Sequence, residues 1–347
     1  MKKLLFTLLM IIPSFLYAQD IMEGTTYFLP KTVLKVNLLI EKTSITPGEL
    51  HLYSERYLKK RDVATEASET YRIVSLKMRT ESIPDTAKQF TARVDQKHSI
   101  NSIKLNSEGI ILAVNTDAKV PAPAQPFIPA PKKAPLNPHD YMNQDILASG
   151  SMAKMAELTA QEIIDIRESR SQLSKGQADF MPQDGAQLNL MLKNLQQQES
   201  ALLQLFEGVT EKDTTEVELT YIPEQEVDRY ILFRFSKKLG LVDRDDLAGS
   251  PYYISVKDEH VIPTNQAIAE EGKRSKDDAN IFVNMPGKIK VTIQGKEAMT
   301  TLDTYAAQFG KCASLDNELF GKKLYTQLVY NPITGNIESI NTDLVKK

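Results

Sequence analysis

The residues best placed by type and spacing to do chemistry are two arginines and three aspartates. Arg167 and Arg170 stand three apart in a stretch of helical periodicity, so they share one helix face. Paired guanidinium groups on one face can clamp an anion. Glu162, Asp165 and Glu168 lie close by, and Arg170 continues an apolar stripe, so a structural tie or solvated ion pairs is the expected use. Asp243, Asp245 and Asp246 offer hard oxygens of the kind calcium takes. A calcium loop opening at Asp243 would need Gly at its sixth position and Glu at its twelfth, where Ala248 and Ile254 stand. A turn capped by its own aspartates is therefore expected, with no metal and no cofactor. Tyr252 and Tyr253 could stack on a ligand, but neighbours on a strand point to opposite faces, which splits them between core and surface.

The remaining reactive side chains form no motif. His51, His98, His139 and His260 are scattered, and neither a G-x-S-x-G element, a phosphate-binding glycine loop nor H-E-x-x-H occurs. Cys312 is the single cysteine, so no intrachain disulfide or cysteine-rich zinc site can form, and its apolar neighbours suit a buried small side chain. Paired carboxylates for glycoside hydrolysis stay open, since such acids meet only in the fold. The absence of tryptophan lowers the expectation of a sugar-stacking cleft.

The elements that must position these residues begin with an address. Lys2 and Lys3, the apolar run Leu4 to Ile12, Pro13 and the small Ala18 follow the order of a secretory signal, with cleavage expected after Ala18. The run falls short of the ~20 apolar residues of a membrane span, so none is expected once the signal is removed. No cysteine near the cut could accept a lipid. Removal takes the formal charge from −3 to about −5. Mild acidity argues against nucleic acid or an anionic membrane as partner, because both require clustered cations.

Alternating apolar residues predict strands over Tyr27 to Glu41, Thr70 to Met78 and Gln89 to Asp95, with a short helix over Glu49 to Lys60 and a hairpin from Ile103 to Val114. Seven prolines in the eighteen positions from Pro121 to Pro138 make an extended connector. Two amphipathic helices follow, the first closed by Lys175-Gly176, the second opened by the capping pair Asp184 and Gln187 and ended by Gly208. The short loop between them predicts an antiparallel helical hairpin. Strands return over Glu216 to Tyr221, Arg229 to Phe235, Tyr252 to Val256, Lys288 to Ile293 and Leu324 to Tyr330, and a last hairpin ends near Ile340.

Two endings match. Leu105-Asn106 to Val114-Asn115-Thr116-Asp117 and Tyr330-Asn331 to Ile340-Asn341-Thr342-Asp343 both read apolar-Asn, turn, Gly, strand, apolar-Asn-Thr-Asp. Upstream, Asp85 to Phe90 echoes Asp303 to Phe309. The order of the matched pieces points to an internal duplication of residues 70–117 and 288–343. The expected fold is α+β: two related β-rich domains with a proline-rich linker and an antiparallel helical hairpin between them. Its boundaries are 1–18 for the signal peptide, 19–118 for an N-terminal α+β domain, 119–142 for the linker, 143–208 for the helical hairpin and 209–347 for a C-terminal β-rich domain.

Three stretches carry a resemblance: Ile166 to Arg170, Met181-Pro182-Gln183-Asp184-Gly185, and Asp245 to Ile254. They resemble an uncharacterised family of exported proteins from Bacteroides-like bacteria, classed as a domain of unknown function, and the likeness extends over nearly the whole mature chain. The resemblance implies an exported α+β protein and brings no functional residue with it; the expected location is periplasmic or extracellular. The expected function is noncatalytic binding or structural support in the cell envelope, with an envelope protein or a glycan as the kind of partner. A hydrolase with carboxylates drawn from distant segments is the alternative.

Overall fold

The computed structural model describes residues 24–93, 98–120, 122, 124–132, 134–182, 184–262 and 279–344. The expected signal segment and its cleavage position lie outside these residues.

The chain is mostly antiparallel sheet with few helices. Strand β1 (Gly24–Thr46) folds back on β2 (Ser68–Arg93) and receives β5 (Val209–Tyr221) on its other side. Its residues alternate: Leu34, Val36, Leu38 and Ile40 are buried, while Lys35, Asn37, Leu39 and Glu41 between them are only partly covered. The buried set packs face to face on a five-stranded sheet of β6 (Val227–Ser236), β7 (Gly240–Val242), β8 (Ser250–Asp258), β9 (Phe282–Gln294) and β10 (Met299–Ser314). Phe233, Tyr252, Ile254, Ile289, Val291 and Ile293 supply the facing side chains of this first core. Each such buried aliphatic side chain contributes roughly 1.5–3 kcal/mol.

A third sheet has the order β12-β11-β4-β3, formed by β3 (Ile103–Leu105), β4 (Ile111–Val114), β11 (Leu324–Tyr330) and β12 (Ile337–Leu344). Its core gathers Ile111, Val114, Leu328 and Tyr330 with Tyr27, Leu29 and Val283 from the ends of the long strands. Helix α1 (Ser54–Leu58), α2 (Gln144–Leu147), α3 (Met152–Lys175) and α4 (Gly185–Glu207) enclose a third core with Leu50 at its centre. As the sequence implied, Asp184 caps α4 by accepting from the Gln187 amide at 2.7 Å, and Gly176 ends α3 in the left-handed region at φ 69°.

Two of the three sheets draw strands from both sides of the expected domain boundaries: β5 pairs with β1, and β11 pairs with β4. A 23-residue strand such as β1 has two edges to satisfy, and the hairpin with β2 satisfies only one. The two strands expected over 70–78 and 89–95 are one, because β2 runs on past Pro84. Proline is tolerated there since β2 is a sheet edge and the ladder is already interrupted at that point. Strand β10 escaped the sequence reading. It is an edge strand with only Ala306 and Ala307 buried, so its Thr-rich pattern carries little hydrophobic signal.

The matched hairpins share their geometry rung for rung. In the first, Ile103 faces Val114, Lys104 faces Ala113, and after a one-residue bulge Leu105 faces Ile111. In the second, Leu328 faces Ile340, Val329 faces Ser339, and after the same bulge Tyr330 faces Ile337. Each turn is organised by an asparagine whose Oδ1 accepts two backbone amides: Asn106 from Glu108 and Ile110, Asn331 from Ile333 and Thr334. Gly109 and Gly335 close the turns at φ 83° and 74°, and each offers its carbonyl to a long strand, to Phe28 N and Asn284 N, both at 2.9 Å. Phe28 stands two residues before Pro30 and Asn284 two before Pro286.

The long hairpins also repeat an interruption. Residues 85–88 of β2 bulge against Leu29 of β1, and residues 307–310 of β10 bulge against Pro286 of β9. The upstream sequence echo is thereby corrected in register: Gln308 and Phe309 lie inside their bulge, whereas Gln89 and Phe90 lie beyond theirs. Each bulge docks on a strand of the other long hairpin. Gln308 bonds both Thr32 N and Thr32 O, and Lys88 Nζ donates to Asn284 Oδ1 at 3.1 Å.

Candidate functional site

Arg167 and Arg170 do meet an anion, and it is the chain's own. Both are on α3, and α4 brings Glu199 between them: Arg167 Nε reaches Oε1 at 2.6 Å and Arg170 Nη1 reaches Oε2 at 2.5 Å. The Glu199 side chain is 9% exposed while the Arg167 and Arg170 side chains are 41% and 39% exposed. A buried carboxylate needs such partners, because alone it would lose its hydration without replacement. Sequence reasoning named the arginines but not Glu199. Its signal was a charged residue at a position of α4 that the periodicity makes inward, between Leu195 and Leu202.

Asp243, Asp245 and Asp246 form the turn between β7 and β8. Asp246 Oδ1 accepts from the Ala248 amide at 2.8 Å, and the Asp246 amide donates to the Asp243 carbonyl. Among the described residues no group of three or more His, Cys, Asp or Glu side chains is placed to hold a metal. Tyr252 is buried and stacks on Phe233 with ring centroids 4.6 Å apart; Tyr253, on the opposite face, lies under the Arg229 guanidinium at 4.5 Å. The seven candidate residues thus fall in three separate places, α3, the β7–β8 turn and β8, and make no common site.

The Cys312 thiol is half-buried, and burial pushes its pKa up, away from thiolate character. Three further carboxylates are held in ion pairs on or beside the three-stranded sheet. Glu218 accepts from Lys35 at 2.8 Å and also meets Arg79, and these hydrogen bonds lower its pKa. Glu41 is lowered by Arg72, and Glu224 by Lys31.

One cleft, of about 700 Å³, was not visible in sequence. Its lining includes Ile45, Lys59, Lys60, Arg61, Asp62, Glu207, Gly208 and Thr210. It sits where α4 runs into β5 beside the turn that leaves β1. Gly208 is required there: φ is 76°, and a Cβ would fall 2.1 Å from the Thr46 carbonyl oxygen. Lys60 pairs with Glu207 across the cleft, and Arg61 turns outward to Glu55 at 2.8 Å. What the cleft offers chemically is an open rim of mixed charge.

No helix among the described residues is long and apolar enough to cross a membrane. No curated protein and no solved structure matches the chain. A family model matches residues 23–338, which takes in the described sheets and helices almost entirely, and on that match the chain belongs to the family described as Domain of unknown function (DUF4831).

Proposed function

We propose that this is an exported, noncatalytic protein of the cell envelope, acting by binding or as a structural element in the periplasm or outside the cell. The observation that carries the reading is the engagement of its charged groups with one another. The arginine pair is closed on Glu199, Asp246 caps its own turn, and Glu41, Glu218 and Glu224 are held by cations along the sheet. Groups so engaged stiffen a scaffold rather than turn over a substrate. Export rests on the order of lysines, apolar run and Ala18. We further infer two related β-rich units, β1–β4 and β9–β12, descended by duplication, with α3 and α4 as an antiparallel hairpin between them. Their common register, bulges and Asn-Gly turns support that descent.

The test has two arms. Mass spectrometry of the protein from the soluble envelope fraction should find Gln19 first; an intact Met1 there overturns export. Purified protein mixed with cell-wall glycan and with envelope protein extract should co-sediment with one of them and release no soluble fragments. Fragment release at a rate abolished by Asp62→Asn or Glu207→Gln would establish a hydrolase instead.

A further inference from the structure

The repetition of the hairpins leaves the four-stranded sheet with two unlike edges. Inside the chain, the second strand of the first hairpin pairs with the first strand of the second: Val114 faces Leu328 and Ala113 faces Val329. Because the hairpins coincide rung for rung, β12 is the counterpart of β4 and β3 the counterpart of β11. The outer edge of β12 thus has the form that β4 presents to β11, and the outer edge of β3 has the form that β11 presents to β4. Both edges end the sheet among the described strands.

We propose that these edges bind each other between molecules, so that β12 of one copy pairs antiparallel with β3 of the next. The register follows from the internal contact. Ile340 of one copy faces Ile103 of the second, and Ser339 faces Lys104. Exposure agrees with the assignment: Ile340 is 45% exposed, an apolar group left at the rim, whereas its counterpart on β4, Val114, is buried. Charge agrees as well. Lys104 reaches Asp117, four positions beyond its rung partner Ala113, at 3.2 Å, and Asp343 lies four positions beyond Ser339 on the incoming strand. The contact is heterologous, so it propagates into chains rather than closing into a two-fold dimer. It is also short. Three residues of β3 and the charged Glu338 on β12 blunt the edge, which makes the association reversible and dependent on concentration.

The test is a directed disulfide in a Cys312→Ala background. Lys104→Cys and Ser339→Cys are prepared as separate proteins and oxidised alone and mixed. Within one molecule the two positions lie on opposite edges of the sheet, three strand spacings or about 14 Å apart, too far for a disulfide. Mixing should give a covalent dimer well in excess of either protein alone, and the double variant should give a ladder. Equal dimer in the single-variant samples, or none in the mixture, overturns the register. Sedimentation of the unmodified chain supplies the second readout: its average mass should rise with concentration and fall back with Ile340→Lys. A monomer mass at every concentration overturns the association whatever the cysteine variants do.

Discussion

Replacing Glu199 by glutamine removes one charge and almost no volume from the junction of α3 and α4. In the parent the Glu199 side chain is 9% exposed and holds two arginines whose side chains keep about 40% of their surface in water. Removing one partner of a fully buried pair costs about 3–5 kcal/mol, whereas an exposed pair is worth about 0–1 kcal/mol. One dry and two wet partners place Glu199→Gln between these limits, near 2 kcal/mol, with one amide oxygen left to accept a single arginine. Arg167→Ala should cost less, about 1 kcal/mol, because Arg170 remains on the carboxylate. Urea unfolding followed by circular dichroism reads both losses as shifts of the midpoint. A sulfate titration adds the chemical readout: with Glu199 gone, sulfate can bridge the paired guanidiniums and should restore much of the midpoint, while the parent gains little. An unchanged midpoint for Glu199→Gln, or a parent stabilised by sulfate as strongly as the variant, would refute the view that these arginines are closed on the chain's own carboxylate.

Gly335→Ala and Gly109→Ala both force alanine to positive φ, but only at Gly335 does the new Cβ fall 2.6 Å from Pro30 Cδ and 2.9 Å from Asn284 Nδ2, against 3.3 Å from a Phe28 ring carbon at Gly109. Thermal melts should therefore show the larger loss for Gly335→Ala, about 2 kcal/mol or more beyond the ~1 kcal/mol of the backbone strain itself. Leu202→Asp places an unpaired charge at a fully buried position of α4 and should lower the melting temperature sharply; Leu195→Asp, half-buried, should do so less, and Gln196→Ala not at all. Glu41, Glu218 and Glu224 have folded pKa values below their unfolded ones. Their stabilisation is present above the unfolded carboxylate range and is lost as pH falls through the lowered values, so Glu218→Gln should flatten the acid limb of stability against pH without changing the basic side.

What the sequence made legible was local. Helix ends written in Asp184, Gly176 and Gly208, and hairpin turns written in Asn106, Gly109, Asn331 and Gly335, stand as read because a cap or a turn is decided within five or six residues. Strand pairing is decided elsewhere. Nothing in Val209–Tyr221 announces that its partner is β1, nor does β4 announce β11, since the ladder is made of backbone groups that every residue carries. The candidate residues divide on the same line. The split of Tyr252 from Tyr253 follows from the two-residue period of a strand, and the capping of the β7–β8 turn from the short reach of Asp246. Glu199 needed the packing of α4 on α3, thirty residues away. The cleft at Lys59 to Asp62 needed the junction of β1, α1 and β5, which no single segment contains.

The two hairpins show how one backbone plan is fitted to different neighbours. On β4, Ile111, Leu112, Ala113 and Val114 are all buried, because the sheet continues beyond them into β11 and the core lies beneath. At the matching positions β12 carries Ile337, Glu338, Ser339 and Ile340, the last three exposed because no described strand lies beyond them. Asn115, which follows β4, sits at φ 57° and donates to Ser99 O and Thr326 O while accepting from Asn101 N and Ser102 N; its counterpart Asn341 is exposed. An asparagine in the left-handed region at a buried junction is held by those four bonds, and the first hairpin is thereby fastened to the second. The same residue type at the outer edge has no such junction among the described residues. The two hairpins thus share bulge and register, differ by one residue in the turn and differ most in surroundings, which leaves β12 with the backbone of an interior strand at the rim of a sheet.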